Sequence, residues 1–275
     1  MQQGTLFVVA TPIGNLEDFS PRACRILDEV DLVVAEDTRQ SRKLMQHFGI
    51  TTRLHAMHEH NEAAQLPGLL GRLSRGEDLA VISDAGTPLI SDPGFRLVGA
   101  ALDQGIAVRT VPGPSAVTAA LAISGLPTDR FRFEGFLPAR AAARKARIES
   151  WRDEQGTLVC FEARHRILAT LDVMAECFGD SREVVLCREL TKRFETVLRG
   201  SAMDLRQRLE EDPAQQKGEF VLLLGAASEA PEPDLALALK LARELTRDLP
   251  ASKAARVAAR ITGVSRRLIF DQLES

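Results

Sequence analysis

The chain has 275 residues, of which 45% are hydrophobic and 27% charged, and a net charge of −3 at pH 7. That length accommodates two domains around well-buried cores, and the composition is that of an ordinary globular protein, which excludes disordered, fibrous and disulfide-dense classes. No apolar run reaches the roughly 18 residues a bilayer span needs, and "MQQGTLFVVATP" sets no basic stretch ahead of its short apolar one, so a cytoplasmic protein without membrane attachment is expected.

Over the first 125 residues, short runs rich in Val, Ile and Leu alternate with helical patterns. Strands are predicted at 5–10, 32–36, 79–83 and 108–112. Helices are predicted at 21–30, where Pro21 follows Ser20, and at 38–48, 62–75 and 93–104. For the last of these, Ser91 or Asp92 is read as the cap and Pro93 as a first-turn residue, which gives the "SDPG" of 91–94 a structural role. Such alternation means βαβ units and a parallel sheet, whose ligands gather at the carboxyl ends of the strands.

After "GLPTDRFRFEGFLP" the rhythm changes. Helices are predicted at 139–154 and 165–178, and strands at 157–162, 182–190, 194–200 and 218–225. Two of these strands follow each other without a helix between them, so a mixed sheet is expected. "ASEAPEPD" at 227–234 reads as a linker. The expected domains are therefore an N-terminal α/β domain over 1–117, a second α/β domain over 118–228 and a helical tail over 229–275. In the tail, Ala259 precedes Gly263 by four positions and Ile269 follows it by six, the pattern of two helices crossing at a glycine turn, with Ser265 as the cap of the second. Arg256, Arg260, Arg266 and Arg267 surround that turn, and from Lys240 onward eight basic residues face four acidic ones. A second basic run, Arg140, Arg144, Lys145 and Arg147, precedes Glu149. Two basic islands on an acidic chain point to a polyanionic partner, whereas either alone is explained by a solvated helix face.

Four segments end predicted strands: "ATPIGNLED" (10–18), "EDTRQ" (36–40), "SDAGTP" (83–88) and "VPGPSA" (111–116). On parallel strands they converge on one edge and enclose a cleft. Neither G-x-G-x-x-G nor G-x-x-x-x-G-K-[ST] occurs, which argues against a dinucleotide or nucleoside triphosphate. A ligand with a cationic or zwitterionic end suits their carboxylates, hydroxyls and amides better. "EDTR" would also serve simply to cap a helix starting near Thr38. No metal site is expected: His55, His58 and His60 read as surface residues, and Cys24, Cys160, Cys177 and Cys187 form no C-x-x-C. Trp151 reads as helix packing, and the scarcity of aromatic residues argues against recognition by base stacking.

"ATPIGNLEDFSPRA", "AEDTR", "SDAGTPLISDPG" and "VPGPSAVTAALAISGLP", in this order and at this spacing, resemble the ribosomal RNA small subunit methyltransferase I family, a branch of the tetrapyrrole methylase superfamily. The resemblance extends through "FEARHR", "CRELTK", "GEFVLL" and the helical tail. It implies two α/β domains of the tetrapyrrole methylase type with S-adenosyl-L-methionine folded into the cleft between them, and a homodimer. The implied reaction is methylation of a cytidine ribose 2′-hydroxyl in small-subunit ribosomal RNA, free or within the small ribosomal subunit. The resemblance places the cofactor against Pro12, Ser83, Asp84, Ala85, Gly86 and Thr87, against Ser115 and Ala116, and against Phe161, Glu162, Leu190, Thr191, Glu219 and Phe220. Methyl transfer from a sulfonium depends largely on positioning, while a ribose hydroxyl gains from a base as it attacks. Glu36, Asp37 and Asp84, at strand ends, are the candidate bases, with Glu36 or Asp37 expected to be the proton acceptor. Arg39 and Lys192 are candidates for orienting phosphates, with Arg144, Lys145, Arg256, Arg260 and Arg266 as further RNA contacts. The competing readings are a phosphohydrolase with Asp84 and Asp92 as metal ligands, a methylase of tetrapyrroles or another small substrate, and a non-catalytic RNA-binding protein.

Overall fold

The computed structural model describes residues 3–58, 60–227 and 234–273. The chain divides into two compact units, Met1–Ala226 and Ala227–Ser275. Most of the linker predicted at 227–234, residues 228–233, lies outside the described residues.

The first unit holds two sheets. β1 (Thr5–Val9), β2 (Leu32–Ala35), β3 (Leu54–Ala56), β4 (Leu79–Ile82) and β5 (Ala107–Val111) form a parallel sheet in the order β3-β2-β4-β1-β5. Helices α1 (Pro21–Glu29), α2 (Thr38–His47), α3 (Glu62–Ser74) and α4 (Phe95–Asp103) connect its strands. Every residue of β2 and β4 is buried, because apolar clusters cover both faces of the sheet. α1 begins as its sequence predicts: the Ser20 hydroxyl accepts the Ala23 N–H, and Pro21 fills the first turn.

The start of α4 differs from expectation. Neither Ser91 nor Asp92 caps it; Gly94, at φ +119°, is the N-cap residue, and its side chain can offer nothing. The cap comes from α3 instead, where the buried Glu62 accepts the N–H groups of Arg96 at 3.0 Å and Leu97 at 3.3 Å. A carboxylate on those amides also suits the positive end of the helix. Ser91 and Asp92 are thereby released from the structural role their sequence suggested.

α5 (Ala116–Ser124) leads into the second sheet, built from β6 (Phe131–Phe136), β7 (Thr157–Glu162), β8 (Val184–Arg188), β9 (Thr196–Gly200) and β10 (Phe220–Leu224). Its order is β6-β7-β10-β8-β9, with β6 parallel to β7 and the other pairs antiparallel, so it is mixed as expected. Alternate residues of β7, β8 and β10 face opposite ways. Leu158, Cys160, Leu186 and Leu222 pack under α6 (Ala141–Glu149), α7 (Ile167–Phe178) and α8 (Ala202–Glu211), together with the buried Trp151. Val159, Val185, Cys187 and Val221 pack under α5.

The basic run at the start of and along α6 is exposed except at Arg144, and its exposed members Lys145 and Arg147 are paired. Arg144 is 5% exposed and donates to the carbonyls of Pro138 and Ala139, Lys145 pairs with Glu176 at 2.8 Å, and Arg147 pairs with Glu134 at 3.0 Å. Arg144 is thus withdrawn as an RNA contact, because its guanidinium is spent inside the fold. Lys145 and Arg147 are already neutralised.

The second unit consists of α9 (Leu235–Leu245), α10 (Ala251–Thr262) and α11 (Arg266–Leu273) around Ala238, Ala242, Ala255, Ala258, Val264 and Ile269. Gly263, at φ +73°, turns the chain between α10 and α11, a conformation glycine adopts without penalty. Arg256, Arg260 and Arg266 are exposed, with no ion-pair partner among the described residues. No helix among those residues is long and apolar enough to cross a membrane.

Candidate active site

Topology brings the expected loops together. β1 and β4 are neighbours, so their carboxyl ends meet, and Thr11 and Gly86 exchange backbone hydrogen bonds of 2.9 and 3.1 Å across them. The Thr11 hydroxyl donates to the Ser83 carbonyl at 3.1 Å. The Thr87 hydroxyl donates to the Pro114 carbonyl at 3.0 Å, which ties the β4 loop to the β5 loop. In the second sheet, antiparallel β10 starts where β7 and β8 end, Phe220 standing opposite both Glu162 and Arg188. Residues 161–165, 189–192 and 218–221 therefore share one edge. The Glu189 N–H donates to the Glu219 carbonyl, and the Lys192 ammonium bridges the two carboxylates at 2.9 and 3.0 Å.

These two edges enclose a cleft of about 660 Å³ lined from both sheets, a volume ordinary for a small-molecule site. The approach is close: a Cβ on Gly14 would lie 2.4 Å from Lys192 Cγ, so only glycine fits there. Four residues other than glycine have positive φ among the described residues: Leu89, Ser91, Glu189 and Thr191. All four lie in the two loops that frame the cleft. Such conformations persist only where surrounding structure enforces them, and they concentrate at functional sites.

The family model of the tetrapyrrole (corrin/porphyrin) methylases matches residues 5–206, and that of the RsmI C-terminal HTH domain matches residues 231–273. The ribosomal RNA small subunit methyltransferase I of Pseudomonas aeruginosa is 53% identical over 275 residues, covering 99% of this chain and 97% of that one. The chain belongs to the ribosomal RNA small subunit methyltransferase I family. The protein of that name from Xylella fastidiosa is 50% identical, with 97% of this chain and 98% of that one covered. The crystal structure of diphthine synthase shares the fold, with a TM-score of 0.60 at 16% identity over 81% of this chain and 89% of its own.

Of the residues singled out for the cofactor in this family member, Asp84, Ala85, Gly86, Thr87, Ser115, Ala116, Phe161, Glu162, Leu190, Glu219 and Phe220 line the cleft, as does Lys192. Pro12, Ser83 and Thr191 do not. Ser83 is buried behind the wall, its hydroxyl donating to the Gly86 carbonyl at 3.1 Å. Glu162 lines the cleft, but its carboxylate accepts from the Thr170 hydroxyl, the Arg166 guanidinium and the Ala163 N–H. Ile13, Ile90, Ser91, Asp92, Phe136, Arg164 and His165 also line the cleft; none of them is among the residues expected at the cofactor, and the sequence offers Ser91 and Asp92 only as a helix cap or, for Asp92, a metal ligand. The repeated Ser-Asp was a signal for two of them. Both copies contribute to the site, Asp84 from the first and Ser91 and Asp92 from the second.

Among the candidate bases, Asp37 is consumed locally. It caps α2 through the Arg39 N–H and grips the Arg39 guanidinium at 3.0 and 2.7 Å, which holds its carboxyl at about 2. A carboxylate so stabilised is a poor proton acceptor. Glu36, at the end of β2, does not line the cleft, but its charge acts on Asp92. The Asp84 carboxyl is raised, chiefly by burial. Asp92 is pushed up to about 6 by burial first and by Glu36 next, while the Ser83 hydrogen bond opposes the shift and Asp84 adds to it. Among the described residues no three His, Cys, Asp or Glu side chains are grouped to hold a metal ion, and the His55 ring is paired with Gln65 at 2.9 Å.

The Asp92 shift has a measurable sign. The folded chain holds that proton to a higher pH than the unfolded chain, so the stability it contributes is complete below the ordinary carboxylate range near 4 and is lost as pH rises through about 6. A rise from the ordinary carboxylate range to about 6 corresponds to about 3 kcal/mol, reduced to about 1–2 kcal/mol by solvent at this half-buried position. Asp92→Asn is expected to stabilise the protein by that amount at pH 7.5 and by nothing towards pH 4. Urea unfolding at the two pH values checks this, and an equal shift at both would refute the burial account.

Proposed function

We propose that the chain transfers a methyl group from S-adenosyl-L-methionine to the ribose 2′-hydroxyl of a cytidine in small-subunit ribosomal RNA. The observation that carries this reading is the composition of the cleft. Two carboxylates raised by their surroundings, Asp84 and Asp92, stand beside small residues that leave backbone amides open, and apolar walls are supplied by Phe161 and Leu190. That donor set fits a ligand with a cationic sulfonium and a zwitterionic amino-acid end, and the chain has none of the loops that cradle polyphosphates. Bound there, the cofactor supplies an electrophilic methyl group.

The remaining work belongs to the chain's own side chains. Asp92, the more buried carboxylate, offsets a positive charge best where water is scarce. Asp84 is the more exposed and takes the proton from the ribose hydroxyl, its raised pKa making it a better acceptor than Asp37. The exposed Arg256, Arg260 and Arg266 of the tail supply contacts to phosphate, which a small tetrapyrrole substrate would not need.

The test is to incubate the protein with methyl-labelled S-adenosylmethionine and small ribosomal subunits from cells lacking the activity. Label should appear on one cytidine ribose, be suppressed by S-adenosylhomocysteine and be indifferent to chelators. Label on a base, or none in RNA, would refute the assignment.

A further inference from the structure

β6 carries an irregularity that re-aims one side chain into the cleft. Phe133 stands opposite Val159 on β7, yet Phe136 stands opposite Phe161, so three steps along β6 match two along β7. The extra residue is accommodated at Gly135, whose φ of +67° suits glycine. Without it, Phe133 and Phe136 would point to opposite faces. With it, both rings meet Phe161 edge-on, at 4.9 and 5.3 Å between centroids. Phe133 and Phe161 pack against the core, whereas Phe136 is 59% exposed and lines the cleft. A Cβ on Gly135 would lie 3.5 Å from the Ser91 hydroxyl, so the bulge abuts the strained turn that also presents Ile90 to the cleft.

What lies beside the ring gives the occupant's chemistry. Arg164 and His165, both exposed, follow Phe161 at the end of β7 and line the same cleft. The carboxylates Asp84 and Asp92 come from the other sheet's loops. The wall from the second sheet thus sets aromatic rings and the exposed Arg164 beside Glu162, Glu189 and Glu219, the last two held by Lys192, while the other wall carries carboxylates alone. An open aromatic face beside an exposed guanidinium is the arrangement that receives a nucleotide, with the base on the ring and a phosphate on Arg164.

Resting on the proposed RNA methylation, we infer that the Phe136 ring is the platform on which the base of the acceptor nucleotide stacks, so that the enzyme takes a nucleotide turned out of its helix. Enzymes acting on a base within a duplex extrude its nucleotide, and here too, although the reacting group is on the ribose, a stacking partner offsets the base–base contact that a turned-out nucleotide loses.

The experiment compares Phe136→Ala, Phe136→Leu and Phe136→Trp with the unsubstituted chain. Methyl transfer to small subunits is measured, together with the affinity of the free protein for S-adenosylmethionine. Loss of base stacking raises KM for subunits by about ten- to hundredfold in the alanine variant. Leucine falls between, tryptophan stays within about threefold, and cofactor affinity stays within about twofold in all three. Leucine retains apolar contact with Phe161, so it carries the comparison if the alanine variant melts early. The tryptophan variant adds an independent readout. Its new indole should be quenched on adding small-subunit RNA, whereas the buried Trp151 of the unsubstituted chain should not respond. An unchanged KM in alanine and leucine would overturn the inference. So would a loss of cofactor affinity matching the loss in KM, which would place the ring against the methyl donor. Absence of RNA methylation by the unsubstituted chain would instead overturn the proposed function.

Discussion

Gly86→Val is expected to lower methyl transfer by at least about a hundredfold while leaving a folded protein. Gly86 has φ +86°, a conformation that costs an ordinary L-residue roughly 1–2 kcal/mol and a β-branched one more. A Cβ there would lie 3.2 Å from Ile13 Cγ2, and valine would add two methyl groups to that contact. The residue cannot move alone, because its N–H and carbonyl are both bonded to Thr11 and its carbonyl also accepts from Ser83. The displacement passes to Ser83, whose hydroxyl the Gly86 carbonyl accepts, and through Thr87 towards the β5 loop. A displacement of about 1 Å at a reacting centre costs on the order of a hundredfold in rate. The control is Gly99, inside α4, where an added Cβ meets nothing within 4 Å. Gly99→Ala should leave turnover unchanged and stabilise by up to about 1 kcal/mol. Parallel assays and thermal melts of the two variants check the pair, and near-normal turnover in Gly86→Val would show that the loop has no fixed catalytic geometry.

Much of this site was legible because its loops begin where apolar runs end. The runs at 5–10, 32–36 and 79–83 are buried on both faces, so hydrophobicity alone marks them, and a parallel arrangement then dictates where their ends meet. Other parts depend on partners distant in sequence. Nothing near Asp92 reveals that α4 is capped by Glu62, so a Ser-Asp-Pro stretch that locally reads as a cap is free to face the ligand. β6 escaped notice because "FRFEGF" has a charge or glycine between its aromatics and no apolar run, and its bulge breaks the alternation that identifies a strand. The start of α8, by contrast, is encoded locally: Ser201 and Asp204 form a capping box, three residues apart in the sequence. The basic run on α6 shows the opposite failure. Charge content marks a face as polar, but burial decides which arginine reaches solvent, and Arg144 is fixed by Pro138 and Ala139 before any RNA could meet it.

Arg182→Ala is expected to cost about 3–4 kcal/mol of stability without changing turnover of the folded enzyme. Arg182 is 3% exposed, and its guanidinium donates to the carbonyls of Gly225, Trp151, Arg152 and Glu154 while stacking over Phe178 at 5.0 Å. Among the described residues no carboxylate pairs with it directly, so burial lowers its pKa, which Glu154 and Asp153 only partly counter. Removing the charge relieves that desolvation, yet it strands several buried carbonyls and opens a cavity beneath Phe178. Stranded groups cost about 1–3 kcal/mol each and outweigh the relief. For a chain of this size the loss corresponds to roughly 6–15 °C in melting temperature. Turnover is spared for a topological reason. Arg182 precedes β8 and Gly225 follows β10, which places both at the edge of the mixed sheet opposite the one that carries residues 161–165, 189–192 and 218–221. Glu162 and Phe220 sit at the cleft end of the same strands, so one sheet separates what stabilises it from what it binds. Differential scanning calorimetry together with initial rates at a temperature well below the transition checks both halves. A fall in rate at full foldedness would mean that the two edges are coupled through β8 and β10, whereas a melting temperature unmoved by the substitution would mean that the backbone carbonyls find other partners.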